Sequence, residues 1–158
     1  MIEPKYEQVT PFDDLIGVKC EGKWSLINSR GAPVRCPKFD GVVLEPGYQW
    51  FSNGLAGVQV NKMCGFIDAK GTLKIAPTYK FVKPFDHGSA AVWDGSFWQF
   101  IDTNGKIISP IKFASISSFK DNKAFVTVPG PLYKLFEWST IDTTNDFFEY
   151  YLHSGENW

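Results

Sequence analysis

Two stretches of the sequence repeat one another and decide the fold. FSNGLAGVQVNKMCGFIDAKG occupies residues 51–71, and FDHGSAAVWDGSFWQFIDTNG occupies residues 85–105, thirty-four positions later. They agree in length, in the placing of their aromatic residues and in the closing Ile-Asp-x-x-Gly. A repeat of this period indicates small units that cannot bury their apolar faces alone and that cover one another when they stack.

A third copy precedes these two. Anchored on a shared valine, the copies read VKCEGKWSLINSRG (18–31), VQVNKMCGFIDAKG (58–71) and VWDGSFWQFIDTNG (92–105). Each one predicts a β-hairpin, since a short strand runs into a turn and a second strand follows with alternating faces. The turns are expected at Glu21-Gly22, Asn61-Lys62 and Asp94-Gly95.

The second strand of each hairpin and the turn after it repeat in detail. Alternation places one set of residues on a single face, which we expect to be the core: Trp24 and Leu26, Cys64 and Phe66, Trp98 and Phe100. A repeated isoleucine shares the opposite face with Ser25, Gly65 or Gln99. In the following turn we expect Asn28, Asp68 or Asp102 to accept backbone N–H bonds, and a glycine to supply the positive φ that closes it.

These motifs resemble a known family. The pattern Phe-x-x-Gly-Leu-Ala-x-Val, then Lys-Trp-x-x-Ile-Asp-x-x-Gly and an Ile-x-Pro segment, resembles the bacterial WG-type repeat family over residues 12–128. The Trp-Gly dipeptide survives only in part, as Trp24-Ser25, Cys64-Gly65 and Trp98-Gln99. The resemblance implies an antiparallel β scaffold and functions that are largely of the binding kind.

We predict an all-β single domain over residues 1–158, made of antiparallel β-hairpin repeats with a short C-terminal helix. The predicted boundaries are about 12–50 for repeat 1, 51–84 for repeat 2, 85–118 for repeat 3, 119–142 for a partial repeat 4 and 143–158 for an acidic aromatic tail. The helix is expected from Asp146, whose spacing to Glu149 fits a capping box. Linear stacking of the repeats and curling into a barrel or partial propeller both remain open.

Charge is distributed unevenly along the chain. The formal net charge is −1, which excludes a generally basic nucleic-acid binder. Residues 1–134 carry all 16 Lys and Arg with 12 acidic residues, whereas residues 135–158 carry five acidic residues and no Lys or Arg. The two parts therefore have formal charges of +4 and −5, an asymmetry typical of a contact surface.

The sequence offers little for catalysis. Asp68 and Asp102 could be a general acid and base, but Asn28 takes their place in the first copy, and an amide caps a turn without exchanging protons. Cys64 stands where both sister copies have Trp, which indicates a core position, and His87 is expected in an exposed turn. The cysteines and histidines lack metal-ligand spacing. We therefore expect no enzyme, no metal and no cofactor.

Two sets of residues are candidates for binding. The first is the acidic aromatic end of the chain, which would dock a protein with a basic surface through Glu137, Trp138, Asp142, Asp146, Phe147, Phe148, Glu149, Tyr150 and Tyr151. The most concrete version is a bacterial immunity protein that occludes the basic active site of a cognate toxin domain, a nuclease being one possibility. The alternative is a site for a small ligand, a sugar or a base, that stacks on Tyr48, Trp50 and Trp93.

The N-terminus has neither a basic start nor an apolar run, and no apolar stretch is long enough for a membrane span. We therefore expect a cytoplasmic protein whose partner is neither a membrane nor, directly, a nucleic acid.

Overall fold

The computed structural model describes residues 5–12, 14–43, 50–109, 112–117, 125–127, 135–138 and 150–153. Within these ranges the chain forms fourteen strands in four antiparallel sheets, and no helix. The all-β antiparallel prediction is therefore confirmed. Residues 146–149, where the C-terminal helix is predicted to begin, lie outside the described residues, and Tyr150–His153 form a strand.

Each sheet is a meander of strands in chain order. Sheet 1 consists of β1 (Gln8–Phe12), β2 (Leu15–Cys20) and β3 (Lys23–Asn28). Sheet 2 consists of β4 (Gly41–Val42), β5 (Leu55–Val60), β6 (Met63–Asp68) and β7 (Leu73–Tyr79). Sheet 3 consists of β8 (Phe81–Val82), β9 (Ser89–Trp93) and β10 (Trp98–Asp102). Sheet 4 consists of β11 (Ser115–Ile116), β12 (Phe125–Thr127), β13 (Leu135–Trp138) and β14 (Tyr150–His153).

The three predicted hairpins are confirmed as β2–β3, β5–β6 and β9–β10. In the first two, both turn residues have positive φ: 53° and 72° at Glu21-Gly22, and 51° and 67° at Asn61-Lys62. Such two-residue turns match the right-handed twist of the strands that they join. The third turn is longer, and Asp94 Oδ1 holds it by accepting the backbone N–H groups of Ser96 and Phe97 at 2.8 and 2.9 Å.

Three hydrophobic cores lie between consecutive sheets, and each uses the same residue of the repeat. Leu26, Phe66 and Phe100 occupy equivalent positions, and all three are fully buried. Leu26 shares a core with Ala56, Val58 and Ile67 of sheet 2. Phe66 shares one with Ala90, Val92 and Ile101 of sheet 3. Phe100 shares one with Val126 of sheet 4. Burial of one such side chain contributes roughly 1.5–3 kcal/mol, so each sheet is stabilised by its neighbours.

The two central sheets, sheets 2 and 3, are buried on both faces. The sequence analysis expected only one face of each hairpin to lie in the core. Ile67 and Ile101, on the face opposite Phe66 and Phe100, are also fully buried. Conversely, Trp24 and Trp98 are only half-buried, although both were expected in the core. Ile67 and Ile101 are buried because a sheet in the middle of an array has a neighbour on each side, whereas Trp24 and Trp98 pack against the cores while staying partly exposed.

Gly65, the glycine that survives from the Trp-Gly signature, determines how β7 lies along β6. Cys64 pairs with Tyr79 and Phe66 pairs with Ile75, so β7 carries a bulge opposite Gly65. A Cβ atom at Gly65 would lie only 2.4 Å from the backbone oxygen of Ile75. The sister positions hold Ser25 and Gln99, and on the edge away from the hairpin partner β3 and β10 make only isolated bridges with the described residues that follow them. The missing side chain therefore lets a continuous strand approach β6.

Candidate functional site

The repeated acidic residues are turn caps with nearly identical geometry. Oδ1 of Asn28 accepts the backbone N–H groups two and four residues later at 3.0 and 2.9 Å. Oδ1 of Asp68 accepts the corresponding groups at 2.9 and 2.8 Å, and Oδ1 of Asp102 accepts them at 2.9 and 2.9 Å. The glycines that close the turns, Gly31 and Gly71 among them, have φ near 78°. The predicted capping role is confirmed, since an amide and two carboxylates make the same bonds.

The environment of Asp68 favours its charged form. Partial burial is the largest single influence and acts to raise its pKa, but the N–H groups of Thr72 and Lys70 and the ammonium of Lys74 act together in the other direction. The net result is that the pKa of Asp68 lies below its ordinary value. A carboxylate held in this way stays ionised near neutral pH and is a poor proton donor.

Cys64 lies in the core, as its repeat position predicted. Its side chain is 1% exposed and belongs to the core between sheets 2 and 3. Burial raises the pKa of the Cys64 thiol, and likewise that of Cys36, so both favour the protonated form. His87 is in an exposed turn, where its Nδ1 lies 2.7 Å from Oδ1 of Asp86.

Residues suited to metal binding do not gather in the part of the chain that the structure describes. Groups of three or more His, Cys, Asp or Glu that could hold an ion are absent among the described residues. The same residues contain no helix that is long and apolar enough to cross a membrane.

Trp50 and Trp93, predicted as ligand-stacking residues, lie in different surroundings. Trp50 packs edge-on against Trp24, with ring centroids 5.7 Å apart and planes at 68°, beside the core between sheets 1 and 2. Trp93 lies on sheet 3 and stacks on Trp98 at 6.4 Å with planes at 26°. Tyr48, the third residue of that set, lies outside the described residues. The structure therefore does not bring Trp50 and Trp93 together.

Trp93 belongs to a row of three aromatic residues, which we call the aromatic row: Phe81, Trp93 and Trp98. Phe81 on β8 pairs with Trp93 on β9, and Trp93 pairs with Trp98 on β10, so all three point to one face of sheet 3. The rings of Phe81 and Trp98 meet edge-on at 6.0 Å. Phe81 remains 44% exposed, and the two tryptophans are half-buried.

Sequence reasoning missed Phe81, which was not among the residues singled out for binding. The signal that could have found it is the register of the neighbouring sheets. Gly41 and Ser115 occupy the position of Phe81 in sheets 2 and 4. An aromatic residue where both sister sheets have a small one is not required by the repeat.

The acidic aromatic end of the chain is described only in part. Glu137 and Trp138 lie in β13 and face Tyr151 and Tyr150 of β14 in the backbone register. The other predicted contact residues of this segment lie outside the described residues: Asp142, Asp146, Phe147, Phe148 and Glu149. Docking through this segment therefore stays a prediction.

Comparison with known proteins identifies the repeat. A model of the family described as "WG containing repeat" matches residues 1–24, 65–92 and 98–128, together more than half of the chain. The chain belongs to the WG repeat family. In this WG protein the second matched segment begins on β6 and ends on β9, and the third begins on β10 and ends just after β12. Each of these segments therefore joins two adjacent sheets.

The other comparisons add little to the family assignment. No curated protein matches this WG protein significantly. The solved structure described as "KlHsv2 with loop 6CD replaced by a Gly-Ser linker" is 13% identical to it, with a TM-score of 0.43 over 96% of this chain and 70% of that one. The WG repeat is not known as an enzymatic family, and with the β-rich fold it indicates a repeat-type binding module.

Proposed function

We propose that this WG protein binds another protein without catalysing a reaction, and that its partner presents a basic surface. The observation that carries the proposal is the separation of charge along the chain. Residues 135–158 hold five acidic residues and no Lys or Arg, while the rest of the chain is net positive. A segment of one sign on a small domain attracts partners of the opposite sign and rejects others.

The composition of the same segment supports a contact surface. Its acidic residues alternate with aromatic ones, among them Trp138, Phe147 and Tyr151. Aromatic side chains supply most of the binding energy at protein interfaces, and surrounding charges set the association rate and the choice of partner. The pairing of β13 with β14 also supports a contact surface, since it brings the backbones of Glu137 and Tyr151 side by side in one sheet.

The most concrete form of the proposal is a cytoplasmic bacterial immunity protein. Such a protein would cover the basic active site of a toxin domain with its acidic segment, and a nuclease has the basic active site that fits best. Fast capture through complementary charge suits the inhibition of a lethal enzyme. The repeated scaffold is a stack of mutually buried sheets, and the described start of the segment, β13, is joined to it by pairing with β12.

The test uses the full chain and, if the neighbouring gene encodes a larger secreted protein with a variable C-terminal domain, that domain as the candidate toxin. We expect a stable complex by calorimetry and loss of nuclease activity in the toxin domain. The double reversal Asp146→Lys with Glu149→Lys should weaken binding about 100-fold or more, because it replaces attraction with like-charge repulsion worth several kcal/mol.

A matched control makes the same change of charge elsewhere. Asp14 and Glu21 are exposed on sheet 1, and their double reversal to lysine should leave the affinity within a few-fold of the original. The proposal fails if no complex forms at low salt, or if the two double reversals weaken binding equally.

A further inference from the structure

The chain contains two Asn-Gly dipeptides, Asn53-Gly54 and Asn104-Gly105, and both asparagines are exposed. In such a dipeptide the backbone nitrogen of the glycine can attack the side-chain amide of the asparagine, because glycine has no Cβ atom to hinder the approach. The two dipeptides share this chemistry, but the structure places them in different surroundings. Those surroundings decide which of the two asparagines reacts.

The Asn104-Gly105 peptide is held by hydrogen bonds and by packing. The N–H of Gly105 donates to the backbone oxygen of Asp102 at 2.9 Å, so the nitrogen that would attack is already engaged. Oδ1 of Asp102 accepts the N–H groups of Asn104 and Lys106, each at 2.9 Å. A Cβ atom at Gly105 would lie 3.3 Å from Cγ1 of Ile75, so the glycine is packed against sheet 2. Attack at this dipeptide therefore requires hydrogen bonds to break and the loop to leave its packing.

The Asn53-Gly54 peptide lies at the tip of a two-residue turn and is held less tightly. The residues on either side of it, Ser52 and Leu55, exchange two backbone hydrogen bonds of 3.0 Å. In the part of the chain that the structure describes, the N–H of Gly54 has no acceptor. A Cβ atom at Gly54 would meet nothing within 4 Å. The nitrogen of Gly54 is therefore able to lose its proton, and there is room for a ring to form around it.

The neighbouring repeat supplies a donor to the oxygen that becomes negatively charged during attack. The N–H of Gly88, in the equivalent turn of repeat 3, donates to Oδ1 of Asn53 at 3.1 Å. The two turns match, since φ is 52° and 74° at Asn53-Gly54 and 45° and 83° at His87-Gly88. A fixed backbone donor stabilises the oxyanion that forms when the carbonyl carbon is attacked. The hydrogen bond does not have to break, because the same oxygen accepts it before and after attack.

We propose that Asn53-Gly54 is a self-modification site, at which the chain converts an amide into a carboxylate, while Asn104-Gly105 is protected. The nitrogen of Gly54 loses its proton to hydroxide and forms a bond to Cγ of Asn53. The bond between Cγ and the side-chain nitrogen then breaks, and ammonia leaves with a proton taken from water. A water molecule opens the resulting five-membered imide at either carbonyl, which gives aspartate or isoaspartate at position 53.

The modification changes the contact between repeats 2 and 3. It adds a negative charge at the point where Gly88 donates its N–H, and isoaspartate also adds a carbon atom to the backbone of a two-residue turn. Repeat 3 has His87-Gly88 and repeat 1 has Asp13-Asp14 where repeat 2 has Asn53-Gly54, so this turn is an Asn-Gly site in repeat 2 alone. The site shares no residue with the acidic segment and is independent of the protein-binding function proposed above.

The test follows both dipeptides in one sample of the full chain. The chain is incubated at mildly alkaline pH, either folded in buffer or unfolded in guanidinium chloride, and is then digested under acidic conditions. Mass spectrometry measures the conversion of amide to acid in each peptide. In the denaturant Asn53 and Asn104 should react at similar rates, which sets the reference. In the folded chain Asn53 should react faster than Asn104 by roughly 2- to 13-fold or more, the factor for one hydrogen bond that must break before attack.

Variants separate the contributions of the two surroundings. Asp102→Ala removes the cap of the loop that holds Asn104, so it should speed the reaction of Asn104 and leave that of Asn53 unchanged. Asp102→Asn is the matched control, because an amide oxygen keeps the cap. Asn53→Gln should abolish the modification at position 53, since attack would have to close a six-membered ring. Far-UV circular dichroism checks that each variant stays folded during the incubation.

Three results would overturn the proposal. The first is a folded chain in which Asn104 reacts before Asn53. The second is a ratio of the two rates that is the same with and without denaturant, since the fold would then protect neither dipeptide. The third is a folded chain that leaves Asn53 intact while the denatured chain converts it, which would mean that the turn prevents the attack.

Discussion

Replacing Gly65 with alanine would test whether the glycine of the Trp-Gly signature is required for space. Gly65 is not among the glycines with positive φ, so an alanine could adopt its backbone conformation. The obstacle is β7, since the new Cβ atom would lie 2.4 Å from the oxygen of Ile75 and 2.8 Å from the nitrogen of Pro77. Contacts below 3.0 Å essentially never occur for real Cβ atoms, and both of these neighbours are backbone atoms that no rotamer change can move.

The expected size of the effect follows from this geometry. Relief of the clash requires β7 to move by about 0.6 Å or more, and forced shifts of this kind in a packed interior cost about 1–3 kcal/mol. Alanine also restricts the unfolded chain more than glycine does, which offsets about 0.4–1 kcal/mol. We therefore expect Gly65→Ala to lower the free energy of unfolding by about 1–2 kcal/mol, and to lower Tm by roughly 2–8 °C in a chain of this size.

The assay is urea unfolding followed by tryptophan fluorescence, with Gly41→Ala as the matched control. Gly41 also lies in a strand of sheet 2 and lacks positive φ, but a Cβ atom there would meet nothing within 4 Å. Gly41→Ala should therefore be neutral or stabilising by about 0.4–1 kcal/mol. If both variants are equally stable, β7 does not need the open space at Gly65, and our account of the signature glycine is wrong.

Three further predictions concern the turns and the core. Asp102→Asn should keep the free energy of unfolding, measured in urea, within about 0.5 kcal/mol of the original, because Asn28 makes the same bonds in its own turn. Asp102→Ala should lower the free energy of unfolding by about 1–2 kcal/mol. Equal effects of the two variants would contradict the capping role. The pKa of Asp68 is lowered by folding, so its contribution to stability is present above the ordinary carboxyl pKa of about 3.9 and is lost as the pH falls through the lower folded value. Asp68→Asn should therefore flatten the acid end of a plot of unfolding free energy against pH, and an unchanged plot would refute the assignment. Cys64 should react with a thiol reagent at neutral pH more slowly than Cys20, because it is buried and its pKa is raised; mass spectrometry that finds Cys64 labelled first would show that the core position is wrong.

Local features of the fold could be predicted from the sequence because local chemistry determines them. The β2–β3 and β5–β6 turns follow from residues that tolerate positive φ and that lie between two strands of alternating apolar and polar residues. The caps at Asp68 and Asp102 follow from a side-chain acceptor placed two and four residues before the N–H groups that it binds. The three aligned copies strengthened these predictions, since an accidental pattern would not recur at the same position.

Features that depend on neighbouring sheets could not be predicted in this way. Alternation along β6 indicates two faces, but only the stacking of sheets shows that Ile67 is as deeply buried as Phe66. The aromatic row depends on the pairing of a two-residue strand, β8, with β9, and so short a strand has no periodicity of its own.

The way in which the matched segments cross from one sheet to the next has a consequence for how such proteins change in length. Loss of one whole motif removes the second strand of one hairpin and the first strand of the following one, and the two strands that remain are equivalent enough to pair; gain of a motif is the reverse change. The array can therefore be shortened or extended in evolution without leaving an unpaired strand edge at the point where the ends are joined. A cut made between two sheets would instead separate surfaces that bury each other.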